Sequence, residues 1–189
     1  MTGQIIFYLV RHGEAENNTR FILNALPEIK KYPLTERGRE QALKVARFLA
    51  ITHTDALLSS PIQRARETAD IIAQVTGLPV EIDERLRETG MGMFNGKKQE
   101  VFLEKYADPK MRISPDPADG VESFIDMRGR LKHFLDDART RFAGRSVIVV
   151  SHGDPLEQLH GILTNEAPGL SAVGWYPEKG SCTKVVWHF

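Results

Sequence analysis

The 189-residue chain lacks most of the features that assign a sequence to a class at sight. Cysteine occurs once, at Cys182. No intramolecular disulfide can form, which suits a reducing compartment, and a cytoplasmic location is expected. There is no excess of one charge: 25 Lys and Arg stand against 25 Asp and Glu. Without a global field, neither nucleic acid nor an anionic membrane surface is expected as a partner. Long hydrophobic runs are absent too. Ile5–Val10 falls well short of the roughly 20 residues of a membrane span and is short even for the apolar region of a signal peptide. Repeats and low-complexity tracts are missing. The six histidines are not closely spaced, and with one cysteine they form no metal-ligand pattern, so no metal and no cofactor is expected.

What remains is ordinary globular material, 41% hydrophobic and 26% charged. The length suffices for one domain, residues 1–189, with a sizeable core. Ile5–Val10, Ala56–Leu58 and Val147–Val150 are apolar without polar alternation, as in strands covered on both faces. Val80–Ile82 and Thr183–Trp187 are weaker strand candidates. Thr35 can cap a helix with Ala42, Val45, Ala46 and Leu49 on its inner face. Ser60 and Pro61 suit the N-cap and first position of another, ended by Gly77. An amphipathic stretch over 122–142 buries Phe124, Met127, Leu131 and Phe134 as core, and a last helix follows Asp154. Strands alternating with helices predict a three-layer α/β/α fold around a mostly parallel sheet. Residues 89–120, with Gly90, Gly92, Gly96, Pro109, Pro115 and Pro117, read as an excursion, helical near 98–106, that forms a lid.

Three apolar strands each end in a loaded tip: Arg11-His12-Gly13, Ser59-Ser60-Pro61-Ile62-Gln63-Arg64 and Ser151-His152-Gly153-Asp154. In open α/β sheets ligands bind beyond the carboxyl ends of the strands, so parallel strands would bring these tips together. Two arginines then offer fork-shaped donors to phosphate oxygens, and the first turn of the helix carrying Arg64 adds backbone N–H groups. Neighbouring cations keep an imidazole neutral, as a nucleophile must be. They also stabilise charge on a phosphoryl group in transfer, with no need of a metal. The glycines after both histidines would let backbone approach a ligand. A departing alkoxide needs an acid, and Glu88 is the choice, although by spacing alone Glu14 and Glu16 stand level with it. His53, His133, His160 and His188 have no such surroundings and read as structural.

These blocks, in this order along nearly the whole chain, resemble the histidine phosphatase superfamily, the phosphoglycerate mutase-like proteins. Leu9-Val10-Arg11-His12-Gly13-Glu14 resembles the signature, and Pro33-Leu34-Thr35-Glu36-Arg37-Gly38 the next block. Ser59–Ala69 resembles the block of the second phosphate arginine, which falls on Arg64 rather than Arg66. Leu86-Arg87-Glu88 followed by Phe94-Asn95-Gly96, then Gly120-Val121-Glu122-Ser123 and Val149-Val150-Ser151-His152-Gly153, complete the series. The resemblance implies a phosphohistidine at His12. Arg11, Asn18, Arg64 and His152 would hold the phosphate, and Glu88 would serve as acid and then base. Ala15 stands where serine or threonine is common, Asn17 where tryptophan is frequent in the mutase branch, and Phe94 where tryptophan is common.

The expected activity is metal-independent hydrolysis of a small phosphorylated metabolite through phosphohistidine. Phosphoglycerate mutase-type transfer is the alternative, and a non-catalytic binding module on this fold a third reading. The interval from Glu88 to Gly120, about 30 residues, is short for the mutase branch and favours hydrolysis. Lys97, Lys98, Lys105, Lys110 and Arg112 are candidates to meet a second negative group of the substrate. The substrate itself and the oligomeric state are not written in the sequence.

Overall fold

A computed structural model describes residues 3–168 and 175–189. Five strands form one sheet in the order β3-β2-β4-β1-β5. They are β1 (Gln4–Arg11), β2 (Ala56–Ser59), β3 (Val80–Ile82), β4 (Ser146–Ser151) and β5 (Cys182–His188). The first four run parallel, and β5 pairs antiparallel with β1 at one edge. The weaker strand candidates were thus real strands, one parallel and one reversed.

Both faces of the sheet are covered, which is why β1 and β4 lack polar alternation. Ile5, Phe7 and Leu9 of β1, with Val147 and Val149 of β4, pack under α5 (Phe124–Phe142) and α6 (Gly153–Leu163). Tyr8 and Val10, with Ile148 and Val150, point the other way, toward α2 (Glu36–Ala50) and α3 (Gln63–Thr76). Two separate apolar clusters therefore sandwich one sheet. Phe124, Met127, Leu131, Phe134, Leu135 and Phe142 are all buried, as core rather than as a partner groove.

Two of the longer helices start on the side-chain caps that local chemistry favours. The Thr35 hydroxyl accepts from the Gly38 N–H at 3.0 Å and caps α2, and Ser123 caps α5 in the same way. Gly77 takes a left-handed φ of 76° and ends α3. Ser60, however, does not cap α3: the N-cap is Ile62, and no side chain serves it. The Ser60 hydroxyl is engaged by His152 instead.

Residues 89–120 leave the sheet, carry the short helix α4 (Gln99–Lys105), and build a core of their own. Ala25, Met91, Phe94, Phe102, Tyr106 and Val121 form it. A short first helix, α1 (Glu16–Thr19), follows the tip of β1. No helix among the described residues is long and apolar enough to cross a membrane.

Candidate active site

The register of β1 on β4 sets Arg11 opposite Ser151, and that of β2 on β4 sets Ser59 opposite Val150. The three loaded tips therefore end at one level. His12 and His152, at distant points of the sequence, lie with ring centroids 5.0 Å apart. Both glycines that follow are required, but for a reason other than ligand approach. A Cβ on Gly13 would run into the Gly38 backbone at the start of α2, and one on Gly153 into the Tyr176 hydroxyl. The close approach is between parts of the protein.

His12 is almost fully buried. Its Nδ1 lies 2.7 Å from the Gly13 carbonyl, and its Nε2 accepts from Arg64 Nε at 3.0 Å. A carbonyl accepts only from a donor, so the proton sits on Nδ1 and the lone pair on Nε2. Burial, then the charges of Arg64 and Arg11, hold the imidazole well below its ordinary pKa. The cations act as the sequence predicts, but desolvation is the larger cause.

Arg64 is buried while Arg66 is exposed, so α3 turns the expected arginine inward. Beyond His12 it donates to the Asn24 carbonyl at 3.0 Å and reaches Glu88 at 3.5 Å. The free N–H of Gln63, at the start of the same helix, is taken by Glu28 at 3.3 Å. Arg11 donates to the Pro177 carbonyl at 2.7 Å, lies over the Tyr176 ring and keeps an unpartnered Nε. His152 is fully buried, with Nε2 2.8 Å from the Ser60 hydroxyl and Nδ1 without a hydrogen bond. If the hydroxyl donates to Nε2, Nδ1 keeps its hydrogen for a ligand oxygen. Burial, then Arg64, His12 and Arg11, also depress the pKa of His152. Asn18 lines the same pocket, and its amide oxygen accepts from the Ala15 N–H at 3.0 Å, which leaves the amide nitrogen as donor.

Geometry ranks the three acids that spacing left level. Glu14 accepts from the Thr35 hydroxyl at 2.8 Å and faces a different hollow, and Glu16 pairs with Arg20 on the surface at 3.3 Å. Glu88 lines the pocket, with an oxygen 3.8 Å from His152 Nδ1. Burial, then the charge of Asp154, raise its pKa against the pull of Arg64.

Asp154 itself goes the other way. Burial is the largest single influence and opposes its ionisation, but its partners together hold the pKa down, Arg112 first by charge and by a hydrogen bond. The Thr89 hydroxyl at 2.8 Å and the Tyr176 hydroxyl at 3.1 Å add to the effect. Two neighbouring carboxyls are thus driven apart, one toward the acid and one toward the anion, the pattern of a site that assigns separate proton tasks. Sequence reading named neither Asp154 nor Tyr176 as a site residue. It did place Arg112 near the pocket, and Asp154 stood in the quoted tip of β4. Among the described residues no three His, Cys, Asp or Glu side chains gather as a metal site.

Arg11, His12, Asn18, Arg64, Glu88, Arg112 and Asp154 line a pocket of about 170 Å³. His152 does not line it: fully buried, it stands behind the pocket, with its ring 5.0 Å from that of His12 and its Nδ1 3.8 Å from Glu88.

The sequence profile of the histidine phosphatase superfamily (branch 1) matches residues 7–188. Phosphoserine phosphatase 1 of Hydrogenobacter thermophilus is 34% identical over 156 residues, 80% of this chain and 72% of that protein. The probable phosphoglycerate mutase GpmB of Escherichia coli is 33% identical over 172 residues, 87% of this chain and 75% of that one. The solved structure of Bacillus stearothermophilus YhfR superposes with a TM-score of 0.82 at 27% identity, covering 95% of this chain and 90% of that one. The fold is phosphoglycerate mutase-like, the relatives are phosphatase and mutase by name, and the chain belongs to the histidine phosphatase superfamily.

Proposed function

We propose that this protein hydrolyses phosphomonoesters without a metal ion, through a phosphohistidine on His12. The single observation that carries the reading is the state of His12. It is buried, neutral, protonated on Nδ1, and presents the Nε2 lone pair beside two arginines.

In the first step His12 Nε2 attacks phosphorus as the P–O ester bond breaks. Glu88 gives its proton to the departing alkoxide. Arg11, Arg64, Asn18 and the Nδ1–H of His152 hold the non-bridging oxygens and take up the charge spread over them. Arg64 exchanges its bond to Nε2 for one to phosphate. In the second step the Glu88 carboxylate takes a proton from water, the water oxygen attacks phosphorus, and the P–N bond breaks. Inorganic phosphate leaves, Nε2 regains its lone pair and Glu88 its proton.

The whole chain acts as one catalytic unit in this reading, with residues 89–120 as its lid. Met91, Gln99, Phe102, Leu103 and Arg112 of that stretch line the pocket, which supports it. The substrate is a small phosphorylated metabolite, in line with the printed names of the relatives. A cytoplasmic setting and the lack of nucleic-acid or membrane partners go with the lone free thiol and the balanced charge. Mutase chemistry is the second reading, favoured by the name of the Escherichia coli relative. It shares the first step and returns the phosphoryl group to a substrate hydroxyl instead of water.

Release of phosphate from p-nitrophenyl phosphate, with a chelator present, tests the reading. Wild type is expected to turn over and His12→Ala to lose at least a thousandfold in kcat. A base-stable, acid-labile phosphoprotein should be trapped in wild type alone. Label on a serine or a cysteine would overturn the mechanism. Retained phosphoglycerate isomerisation without hydrolysis would favour the mutase reading.

A further inference from the structure

If the phosphoryl group sits on Arg11, Arg64 and His152, as the proposed function holds, the rest of the pocket must receive the alcohol that leaves. Its charge inventory is informative. Of the five excursion cations suited to a second negative group, four stay out of the phosphate pocket, although Lys98 borders the groove beside it. Lys97 lies over the Phe94 ring, and Lys98 donates to the Arg20 carbonyl at 2.8 Å. Lys105 pairs with Asp119 at 2.7 Å and Asp116 at 3.1 Å, and Lys110 is exposed and does not line the pocket. Arg112 alone does, and its charge is matched by Asp154. Its guanidinium also lies over the rings of Phe102 and Phe124. The Arg112 Nε–H lacks an acceptor, but with the Asp154 carboxylate already matching its charge a neutral oxygen suits that donor better than a further carboxylate.

The remaining wall mixes the amides Asn17, Asn24 and Gln99 with an apolar strip of Phe21, Ile22, Leu23, Met91, Phe102 and Leu103 and bears no further charge. It continues outward. Phe21, Gln99 and Leu103 also line an adjoining surface groove of about 340 Å³, where Phe21 is 65% and Leu103 44% exposed and the charges of Lys98 and Glu100 offset each other. Phe21 reaches this place at a backbone cost, with φ at +54° in the left-handed region. A bulky residue adopts such a conformation only where its surroundings enforce it, and strain of this kind gathers at ligand clamps more than elsewhere. The backbone is pinned there on both sides. The Phe21 N–H donates to the Asn18 carbonyl at 3.2 Å, and its own carbonyl accepts from the Gln99 N–H at 2.8 Å. The first of these bonds ties it to a phosphate-pocket residue, the second to the excursion.

We propose that the site selects phosphomonoesters of uncharged alcohols that carry an apolar or aromatic group. Phe21 and Leu103 are the specificity-determining residues, and the leaving group lies along the shelf they form. The phosphate end fixes one end of such a substrate, and the shelf is continuous with it.

The test compares kcat/KM for benzyl, ethyl, O-phosphoserine and 3-phosphoglycerate esters, with p-nitrophenyl phosphate as a check on the parent reaction. Benzyl phosphate is expected to exceed ethyl phosphate and both carboxylated esters by at least tenfold. Phe21→Ala should cut the benzyl-to-ethyl ratio about tenfold, and Phe21→Leu should restore part of it, which mere loss of structure would not do. A preference for either carboxylated ester, or a benzyl-to-ethyl ratio unmoved by Phe21→Ala, overturns this inference while hydrolysis of p-nitrophenyl phosphate upholds the phosphatase reading. Failure to hydrolyse any of these esters overturns both.

Discussion

The pocket has two walls of different construction. One stands on the carboxyl ends of β1, β2 and β4, strands buried on both faces and joined backbone to backbone. The other is the excursion over 89–120, with a small core of its own and many side-chain ties. Asn95 holds the loop before it, accepting from the Ala25 N–H and donating to the Pro27 carbonyl, both at 2.9 Å. Tyr106 and Lys105 close on Asp119. Sheet register places atoms to a fraction of an ångström; a satellite core held by side chains has fewer constraints. In the proposed mechanism the nucleophile and most of the phosphate ligands stand on the first wall. The groups that would meet the leaving alcohol come from the second, at Met91, Phe102, Leu103 and Arg112, and from the stretch over 21–23. That reading gives the invariant part of a phosphoryl transfer to the rigid wall and leaves the part that varies with substrate to less constrained segments.

Glu88 sits where the walls meet, so the largest expected effect of a single change there is also the sharpest. Glu88→Gln should lower kcat on ethyl phosphate by about 10²–10⁴. The first step on p-nitrophenyl phosphate should change little, because that leaving group departs without a proton. Equal losses in the first step, read from burst kinetics, would remove Glu88 as the acid.

The Arg112–Asp154 pair clasps the excursion to the sheet wall, and its removal loosens the comparison from the other side. The proposed mechanism needs His12 neutral and Glu88 protonated. Activity should therefore fall at low pH as His12 takes a proton and at high pH as Glu88 loses one. The groups facing Glu88 are Arg64, Arg11, Arg112, His152, Tyr176 and Asp154. Asp154→Asn deletes an anion that favours the protonated carboxyl and leaves the arginines in place. The alkaline limb of kcat on ethyl phosphate should move down by about one pH unit. An unmoved limb would mean that the clasp serves position alone.

The smallest effect concerns stability and belongs to the sheet wall only. His12 and His152 have depressed values in the folded protein, so below the ordinary imidazole value the unfolded chain binds more protons. Stability is then fully present above about pH 6.5 and is lost as pH falls toward the depressed folded values. The slope is about 1.4 kcal/mol per pH unit for each histidine. Urea midpoints between pH 7 and 5 should show it, and His12→Gln should flatten it by about half. An unchanged slope in that variant would mean that other groups dominate the acid side.

The difference between the walls also governs what the sequence discloses. Ile5–Val10 and Val147–Val150 announce doubly covered strands, and the residues just after them are the site. Arg64 rather than Arg66 followed from the block around it, and α3 turns it inward. Glu88 could be separated from Glu14 and Glu16 only by resemblance, because the choice depends on which loop covers which tip. Ser60 looked like a helix cap, and local chemistry does favour that, but the tertiary demand of a buried imidazole took its hydroxyl. The glycines after the histidines were rightly singled out, but what presses on them is Gly38 and Tyr176. Arg112 and Asp154 are 42 positions apart and meet only because the excursion folds back, so no local pattern announces them.

The bond from His12 Nδ1–H to the carbonyl of the next residue has a regiochemical consequence. It occupies one ring nitrogen with the backbone of the same strand tip and leaves the other to react. In the proposed mechanism a phosphoryl group arriving from the pocket would bond to Nε2 and to no other atom of that ring. The covalent enzyme would thus be confined to a single positional isomer, a choice made when the strand folds, before any substrate has entered.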